Sequence, residues 1–291
     1  MTDIQVDTQT PVGTSSASAL ESSTVRLVRP VKRRIGPRDL WRDLPVVRVL
    51  AARDFKVKYK QSLLGPLWLV FQPLALLAAF LVAFRGLADV ESSGTPYVVF
   101  ALVGLTAWAF FQASMTIGTA SLISNLQLVR FTPCPRLAFP VAALIASLPA
   151  LGVTGLGALV VTAVTGHLSW RVVLFPVGVA WLFLLTAGVV AFSSALTVRF
   201  RDMLSAMPFL LQVGLFLAPV GYPLSDLGST VRALVGLNPL TGLIEALRWM
   251  VISGYQPSFE PIAVSLGLTP LLVLFGWMFF ARKETTMADE I

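Results

Sequence analysis

The sequence predicts an all-α integral membrane protein with six transmembrane helices, and three observations carry that prediction. Hydrophobic residues make up 56% of the 291 residues and charged residues 13%, against about 25% charged residues in a typical soluble domain. Six uncharged stretches each approach the roughly 20 residues that cross the hydrocarbon of a bilayer. Basic residues concentrate between alternate stretches. This combination excludes an ordinary soluble enzyme, a disordered chain and a disulfide-stapled secreted domain.

The six predicted spans contain no Asp, Glu, Lys, Arg or His, as expected of membrane helices in which no charge serves a function. With the N-terminus in the cytoplasm, 18 of the 22 basic residues fall on the cytoplasmic side, in agreement with the positive-inside rule. Both chain ends are therefore predicted to be cytoplasmic. In order, the spans cover approximately residues 67–84, 97–117, 139–165, 172–198, 204–222 and 262–280.

The region before the first span divides into two parts. Residues 1–36 begin with a long run of Ser, Thr and other small polar residues, which predicts a disordered cytoplasmic tail. Residues 37–62 predict an amphipathic interface helix in the cytoplasmic headgroup layer, with Asp43 as the cap and Pro45 in the first turn. The alternative is a basic anchor with no further task. The apolar face holds Leu40, Leu44, Val47, Ala51 and Phe55, and another face holds Arg53, Lys56 and Lys60.

Two connections between spans are longer than a turn requires. Residues 118–138 predict a short helix lying across the cytoplasmic face, a surface for a soluble partner. Residues 223–258 are too apolar for a solvated loop, and a break at Asn238 and Pro239 divides their two apolar pieces, residues 234–237 and 240–252. They predict a re-entrant helical hairpin on the extracytoplasmic side, before the last span. Within its second arm, Glu245 and Arg248 lie three residues apart on one helical face. They either form a structural ion pair or gate an outer exit with Asn238 and Pro239.

The sequence lacks the usual motifs of catalysis and nucleotide binding. A single cysteine, Cys134, and a single histidine, His167, allow no intramolecular disulfide and indicate no metal site. No GxxxxGK[ST] motif is present, so this chain is not expected to hold ATP or any other cofactor. The spans also lack the acidic or His residues of proton-driven carriers. The remaining interpretation is a transport pathway driven by another subunit that docks on the basic cytoplasmic face. Membrane topology explains the pI of about 10.1 better than nucleic-acid binding does.

Five groups of residues occur in order around the predicted spans. They are residues 53–68 (RDFKVKYKQSLLGPLW) with Gln72-Pro73; Leu128-Val129 with Pro135-Arg136-Leu137 and Pro140; residues 198–202 (VRFRD) with 208–212 (PFLLQ) and 218–223 (APVGYP); residues 237–240 (LNPL) with Glu245 and Arg248-Trp249; and residues 280–284 (FARKE) with Ala288-Asp289. Together they resemble the integral-membrane permease of polysaccharide-exporting ABC transporters. These ABC-2-type subunits move O-antigen, capsule, teichoic acid or galactan chains on lipid carriers.

The resemblance covers residues 40–291 and implies a non-enzymatic homodimer in a bacterial cytoplasmic membrane. It implies two ABC ATPase subunits that bind ATP and Mg on the cytoplasmic side, contacting a coupling helix between spans two and three. Many relatives have a Tyr-Phe pair before the Pro-Arg of this loop, where this chain has Pro133 and Cys134. The implied ATPase-coupling residues are Leu126, Gln127, Leu128, Arg130, Arg136, Arg199, Arg201 and Asp202.

The implied substrate is a polyprenyl-linked glycan. Aromatic rings suit a glycan channel because their faces pack on the C–H faces of sugars; the alternative for each ring is lipid contact or helix packing. The lysines and arginine before the first span would meet the lipid-linked diphosphate, or alternatively anionic bilayer lipid. The channel candidates are Trp108, Phe110, Phe111 and Trp181, and the diphosphate candidates are Arg53, Lys56, Lys58 and Lys60.

Three other functions are compatible with the sequence. An ABC-2 exporter of a drug or lipid would not depend on a glycan-synthesis pathway. An integral membrane glycosyl or acyl transferase would turn over as the purified chain without ATP. A sodium-coupled carrier would move its substrate under an ion gradient with no ATPase present.

Overall fold

Helices form the regular structure of the protein in a computed structural model that describes residues 43–60, 62–87, 95–131 and 135–284. Within these ranges an isolated β-bridge joins Leu168 to Ile252, and the all-α prediction is confirmed. The predicted tail, residues 1–36, and residues 37–42 of the predicted interface helix lie outside the described residues. The α-helices are α1 Leu44–Tyr59, α2 Trp68–Phe80, α3 Tyr97–Ala120, α4 Leu126–Phe131, α5 Ala138–Val164, α6 Phe175–Arg199, α7 Met203–Leu217, α8 Ser229–Gly236, α9 Pro239–Val251 and α10 Phe259–Glu284.

In the described part of the chain, five helical segments are long and apolar enough to cross a membrane, and each coincides with a predicted span. Short 3₁₀ or π-helical turns extend two of them beyond α2 and α6. The segments are Gly65–Phe84, Tyr97–Ala120, Ala138–Val164, Trp170–Arg199 and Phe259–Glu284.

The predicted span at 204–222 is wrong as a continuous helix. Helix α7 has 15 residues and ends at Leu217, and Ala218 is extended with φ −103° and ψ 135°. The cause is Pro219, because a proline disfavours the helical conformation of the residue before it. Residues 218–223 therefore continue from α7 without helical structure, although no charge interrupts the apolar run.

Helix α1, Leu44–Tyr59, lies within the predicted interface helix at 37–62, and its place in the headgroup layer stays a prediction. Pro45 lies in its first turn, and Val47, Leu50 and Ala51 are buried. Asp43 occupies the N-cap position, but its side chain makes no capping hydrogen bond. Capping by the Asp43 carboxylate was therefore a wrong expectation, although the Asp43 carbonyl accepts the Val47 N–H at 3.1 Å.

Two short helices, separated at Leu237 and Asn238, occupy the region of the predicted hairpin, and its re-entrant placement stays a prediction. Its second arm, α9, agrees with the predicted 240–252 to within one residue at each end. Its first arm, α8, begins at Ser229, five residues before the predicted apolar piece at 234–237. The earlier start arises because Ser229, Thr230 and Arg232 continue the amphipathic pattern, which a search for apolar runs alone does not register.

Two clusters of buried apolar side chains hold the helices together. The larger is built around α3 and α9, with contributions from α2, α5, α6 and α7. The smaller joins α1 to the loop after α3, the start of α5 and the ends of α6 and α10. We refer to this second region as the α1 end of the bundle. The opposite region, where α9 meets the starts of α3, α6 and α10, is the α9 end.

Candidate functional site

The basic side chains of α1 divide into an exposed group and one that is bonded to the protein. Lys56, Lys58 and Lys60 are exposed. Arg53 instead donates to the Asp54 carboxylate at 2.7 Å and to the side-chain oxygen of Asn125. Arg53 therefore ties α1 to the loop that follows α3, and the three lysines are the predicted headgroup residues that face the surroundings.

The loop between α3 and α5 contains a short helix, α4, as the sequence predicted for residues 118–138. Leu126 is half-buried, whereas Gln127 and Leu128 are exposed. The Arg130 side chain lies outside the described residues. Asn125, immediately before α4, donates to the Ser121 carbonyl at 2.7 Å while it accepts from Arg53. The loop is thereby fixed to α1 at the point where α4 begins.

Arg136 is half-buried because it contacts the end of the last long helix. Its backbone N–H donates to the Glu284 carboxylate at 3.4 Å, and its guanidinium donates to the Glu284 backbone carbonyl. The last carbonyls of a helix lack intrahelical partners, and a cation at that terminus is favourable. Arg136 thus caps α10 in addition to standing in the predicted coupling loop.

The turn between α6 and α7 places three further predicted coupling residues at the α1 end. Arg199, Arg201 and Asp202 are all exposed. Arg199 lies over the Phe200 ring, 5.4 Å from its centroid. Asp202 stands at the N-cap of α7, where its carbonyl, and not its carboxylate, accepts helix N–H groups. These three residues, like Gln127 and Leu128 of α4, are exposed.

A cleft of about 330 Å³ opens between α3, α6, α7 and the start of α9. Of the predicted channel residues, Trp108 and Phe111 line it, with their rings 5.9 Å apart. The predicted gate residues Asn238 and Pro239 line it as well. Most other lining residues are apolar: Met115, Leu185, Val189, Phe192, Met203, Met207, Leu210, Leu211, Gly214 and Leu240, with Ser193 as a polar exception.

The other two predicted channel residues do not line this cleft. Phe110 is fully buried and stacks on Phe183, with ring centroids 6.1 Å apart. Trp181 donates from its indole N–H to the Thr269 hydroxyl at 2.8 Å. Both rings join helices to one another, which is the packing alternative stated for them.

The predicted pair of Glu245 and Arg248 forms the centre of a buried polar network on α9. Arg248 Nη1 lies 3.4 Å from Glu245 Oε1, and the Arg248 side chain has no exposed surface. Its guanidinium also donates to the Val220 carbonyl at 2.8 Å and lies over the Phe100 ring at 3.4 Å. A buried charge is stable when it is paired and hydrogen-bonded in this way.

The Glu245 carboxylate accepts hydrogen bonds from the segment that leads into α10. The Tyr255 hydroxyl donates to Glu245 Oε1 at 2.8 Å, and the Ser258 N–H donates to Oε2 at 3.2 Å. Burial raises the pKa of the Tyr255 phenol, so this hydroxyl keeps the proton that it donates. The geometry is that of the structural ion pair, one of the two interpretations of Glu245 and Arg248.

Several residues of these networks carried no functional signal in the sequence. Asn125, Glu284 and Tyr255 are single polar residues in loops or at a helix end. Their partners lie 72, 148 and 10 residues away along the chain, which no local pattern reveals. In the described part of the chain, no three His, Cys, Asp or Glu side chains lie close enough to hold a metal ion.

Comparison with known proteins finds similarity over most of the chain. Residues 45–252 match the family described as ABC-2 type transporter. The O-antigen export system permease protein RfbA of Myxococcus xanthus is 26% identical over 263 residues, which cover 87% of this chain and 98% of that protein. A Klebsiella pneumoniae protein of the same name is 26% identical over 250 residues, 83% of this chain and 93% of its own. The polysialic acid transport protein KpsM of Escherichia coli is 24% identical over 246 residues, 83% and 94% respectively.

Proposed function

The chain belongs to the ABC-2 type transporter family, and on this premise we propose that it is the membrane subunit of an ATP-driven exporter of a lipid-linked polysaccharide. The observation that carries the proposal is similarity along almost the full length of relatives named for O-antigen export and polysialic acid transport. ATP and Mg belong in this proposal to two separate ATPase subunits, since the sequence has no phosphate-binding loop.

The surface at the α1 end is the proposed docking site for those ATPase subunits. Helix α4, with exposed Gln127 and Leu128, and the turn with Arg199, Arg201 and Asp202 face outwards there. The loop before α4 is braced by Arg53 and the loop after it by Arg136. A braced loop transmits a push from a bound partner to α1 and α10, because rigid packed elements move together.

Six spans, with both chain ends on the cytoplasmic side, are the topology of the proposal. Helix α7 alone is about 22 Å long at 1.5 Å per residue, short of about 30 Å of hydrocarbon. The non-helical residues 218–223 supply the remaining length. Irregular backbone is tolerated at membrane depth where protein buries it and satisfies its polar groups. Val220 and Gly221 meet that condition, because Arg248 and Tyr97 donate to their carbonyls.

The cleft beside Trp108 and Phe111 is the proposed part of the glycan path. The path is completed by a second copy of the chain in a homodimer, since a hydrophilic polymer needs a route closed off from lipid on all sides. Lys56, Lys58 and Lys60 are the proposed contacts for the diphosphate or for anionic lipid at the cytoplasmic entrance of a bacterial cytoplasmic membrane. Helices α8 and α9 are the proposed re-entrant hairpin at the extracytoplasmic exit.

Deletion of the gene in its bacterial host tests this function. The expected result is loss of a surface polysaccharide together with accumulation of the same glycan, still lipid-linked, inside the cell. A plasmid copy of the chain should restore the surface glycan. The matched control restores the chain in cells whose partner ATPase lacks its phosphate-binding lysine, where the glycan should stay inside. An unchanged surface glycan after deletion would contradict the proposal.

A further inference from the structure

The segment that follows α7 runs through the interior of the α9 end without regular structure. We refer to residues 218–223 as the strap. Ala218, Val220 and Gly221 are buried, so their backbone groups cannot rely on water for hydrogen bonds. Helix α7 also ends there, and a helix terminus leaves its last carbonyls without partners. The way these carbonyls are satisfied decides how firmly the strap is held.

Three side chains from α3 and the α9 region donate to carbonyls between Leu217 and Gly221. Next to them, Arg232 of α8 donates to the Leu224 carbonyl at 2.9 Å, and Tyr222 of the strap donates to the Phe216 carbonyl of α7 at 2.7 Å. Asn238 Nδ2 lies 3.4 Å from the Leu217 oxygen. Arg248 Nη2 lies 2.8 Å from the Val220 oxygen. The Tyr97 hydroxyl lies 2.6 Å from the Gly221 oxygen. Hydrogen bonds of different length therefore hold the strap on both sides.

The hydrogen bonds to the Val220 and Gly221 carbonyls are buried and closely packed. Arg248 and Tyr97 are 0% and 1% exposed, and Glu245 holds Arg248 in place at 3.4 Å. A Cβ atom on Gly104 would lie 2.8 Å from the Val220 oxygen and 3.0 Å from Arg248 Nη2, so only glycine leaves room for this contact. Short hydrogen bonds from a charged or buried donor are the strong ones.

The hydrogen bond to the Leu217 carbonyl differs in its length and in its burial. The Asn238 amide makes a long hydrogen bond in an exposed setting. The same side chain already caps α9, where its oxygen accepts the Leu240 N–H at 3.0 Å. Leu211 and Gly214 of α7 line one wall of the cleft and Asn238 and Pro239 the other. The Asn238–Leu217 contact thus spans the two walls, and the width of the cleft depends on it.

We propose that Arg248 and Tyr97 are positioning residues that hold the strap as a fixed pivot, and that the Asn238–Leu217 hydrogen bond is a latch. The latch releases when α7 swings away from α9 and widens the cleft. This inference rests on the proposed function, because it assigns the motion to passage of an exported chain. It also separates three of the four predicted gate residues: Asn238 moves relative to α7, whereas Glu245 and Arg248 stay in place.

A reversible cross-link across the latch tests the proposal in cells that make the glycan. Cys134→Ser gives a cysteine-free parent, into which Leu217→Cys and Asn238→Cys are introduced and joined by a short, reducible bis-thiosulfonate. The linked protein is expected to lose export, to regain it after reduction, and to keep its partner ATPase throughout. The control pair is His167→Cys with Ser253→Cys, positions at the same end that are joined by a 2.8 Å backbone hydrogen bond. Linking that pair is expected to leave export unchanged.

Each other outcome has a defined meaning. Equal export by the linked and the reduced protein would overturn the latch, and so would failure of the pair to cross-link. Loss of export with the control pair as well would show that the motion is not confined to the latch, and would overturn its assignment. A cysteine-free parent that exports no glycan, while the native chain exports none either, would place the failure in the proposed function itself.

A second variant loosens the latch without locking it. Asn238→Asp keeps an oxygen to cap α9 but cannot donate to the Leu217 carbonyl. Leu211→Cys, at a buried position on the cleft wall, then reports opening through its reaction with a membrane-impermeant maleimide. Labelling is expected to rise several-fold in the Asn238→Asp background. Unchanged labelling in a correctly assembled complex would contradict the latch.

Discussion

At the α1 end of the bundle the lysines of α1 and the arginines of the α6–α7 turn are exposed, whereas on α9 the Glu245 and Arg248 side chains are buried against one another and Arg248 against the Val220 carbonyl. Exposed charges typically contribute about 0–1 kcal/mol each to stability, so evolution can place them to suit a partner. Removal of one partner from a buried pair costs about 3–5 kcal/mol. Mutations at the α9 end should therefore disturb the fold, and mutations at the α1 end should disturb assembly.

The largest effect is expected from Arg248→Met. The change leaves the Glu245 carboxylate and the Val220 carbonyl buried without their cation, at a cost of about 3–5 kcal/mol. The melting temperature of the detergent-purified chain, followed by size-exclusion fluorescence, measures it. Arg201→Met removes an exposed arginine at the other end and is expected to melt like the native protein. Similar melting temperatures of the two variants would contradict the expected difference in stability between the two ends.

A smaller loss of stability is expected from Gly104→Ala. The added methyl group meets the Val220 oxygen at 2.8 Å, and overpacking of this kind costs about 1–3 kcal/mol. Gly152→Ala is the matched control, because a Cβ atom there meets no atom within 4 Å and alanine favours a helix. Its melting temperature should stay the same or rise. If both variants melt alike, Gly104 does not support the strap as described.

The two tryptophans are expected to separate transport from packing. Trp108→Leu alters the cleft wall and should lower glycan export several-fold while the complex with the ATPase stays intact. Trp181→Leu removes the hydrogen bond to Thr269 and ring packing, a loss of about 1–2 kcal/mol. Export per molecule of folded Trp181→Leu protein should be normal. An equal fall in export in both variants would indicate that Trp108 serves helix packing and not transport.

The smallest effect on stability is expected from Arg136→Glu, with its consequence seen in assembly. A glutamate there meets Glu284 and the negative end of α10, so the coupling loop loses its brace and the yield of bound ATPase should fall a few-fold. Arg171→Glu reverses a charge at the α9 end and should retain the ATPase. Full ATPase yield from Arg136→Glu would remove this residue from the docking surface.

Hydropathy and motifs were sufficient for the family and for most of the architecture. The resemblance drawn from five groups of residues is confirmed by the family match over 45–252. Five predicted spans coincide with helices, because burial in lipid requires long uncharged runs whatever the tertiary contacts. The end of α7 before residue 218 was foreseeable from Pro219. A search based on charge missed it because Ala218 and Val220 are apolar.

The polar networks were less predictable because many of their acceptors are backbone atoms. The spacing of Glu245 and Arg248 placed them on one helical face, with an ion pair as one of two interpretations, and their side chains lie 3.4 Å apart. Nothing in the side-chain sequence marks the Val220 or Gly221 carbonyl as a partner, because every residue carries one. The same applies to Arg136, which was assigned to docking and whose contact with the end of α10 depends on how two distant segments pack.

Purification of the tagged chain from its native host in mild detergent, followed by mass spectrometry of the proteins and lipids that accompany it, shows whether the chain works with a separate ATPase. The expected result is a phosphate-binding-loop ATPase in an amount about equal to that of the chain, together with polyprenyl-linked glycan. Recovery of the chain by itself, with no ATPase under gentle conditions, would contradict it. The exporter would then lack its source of energy.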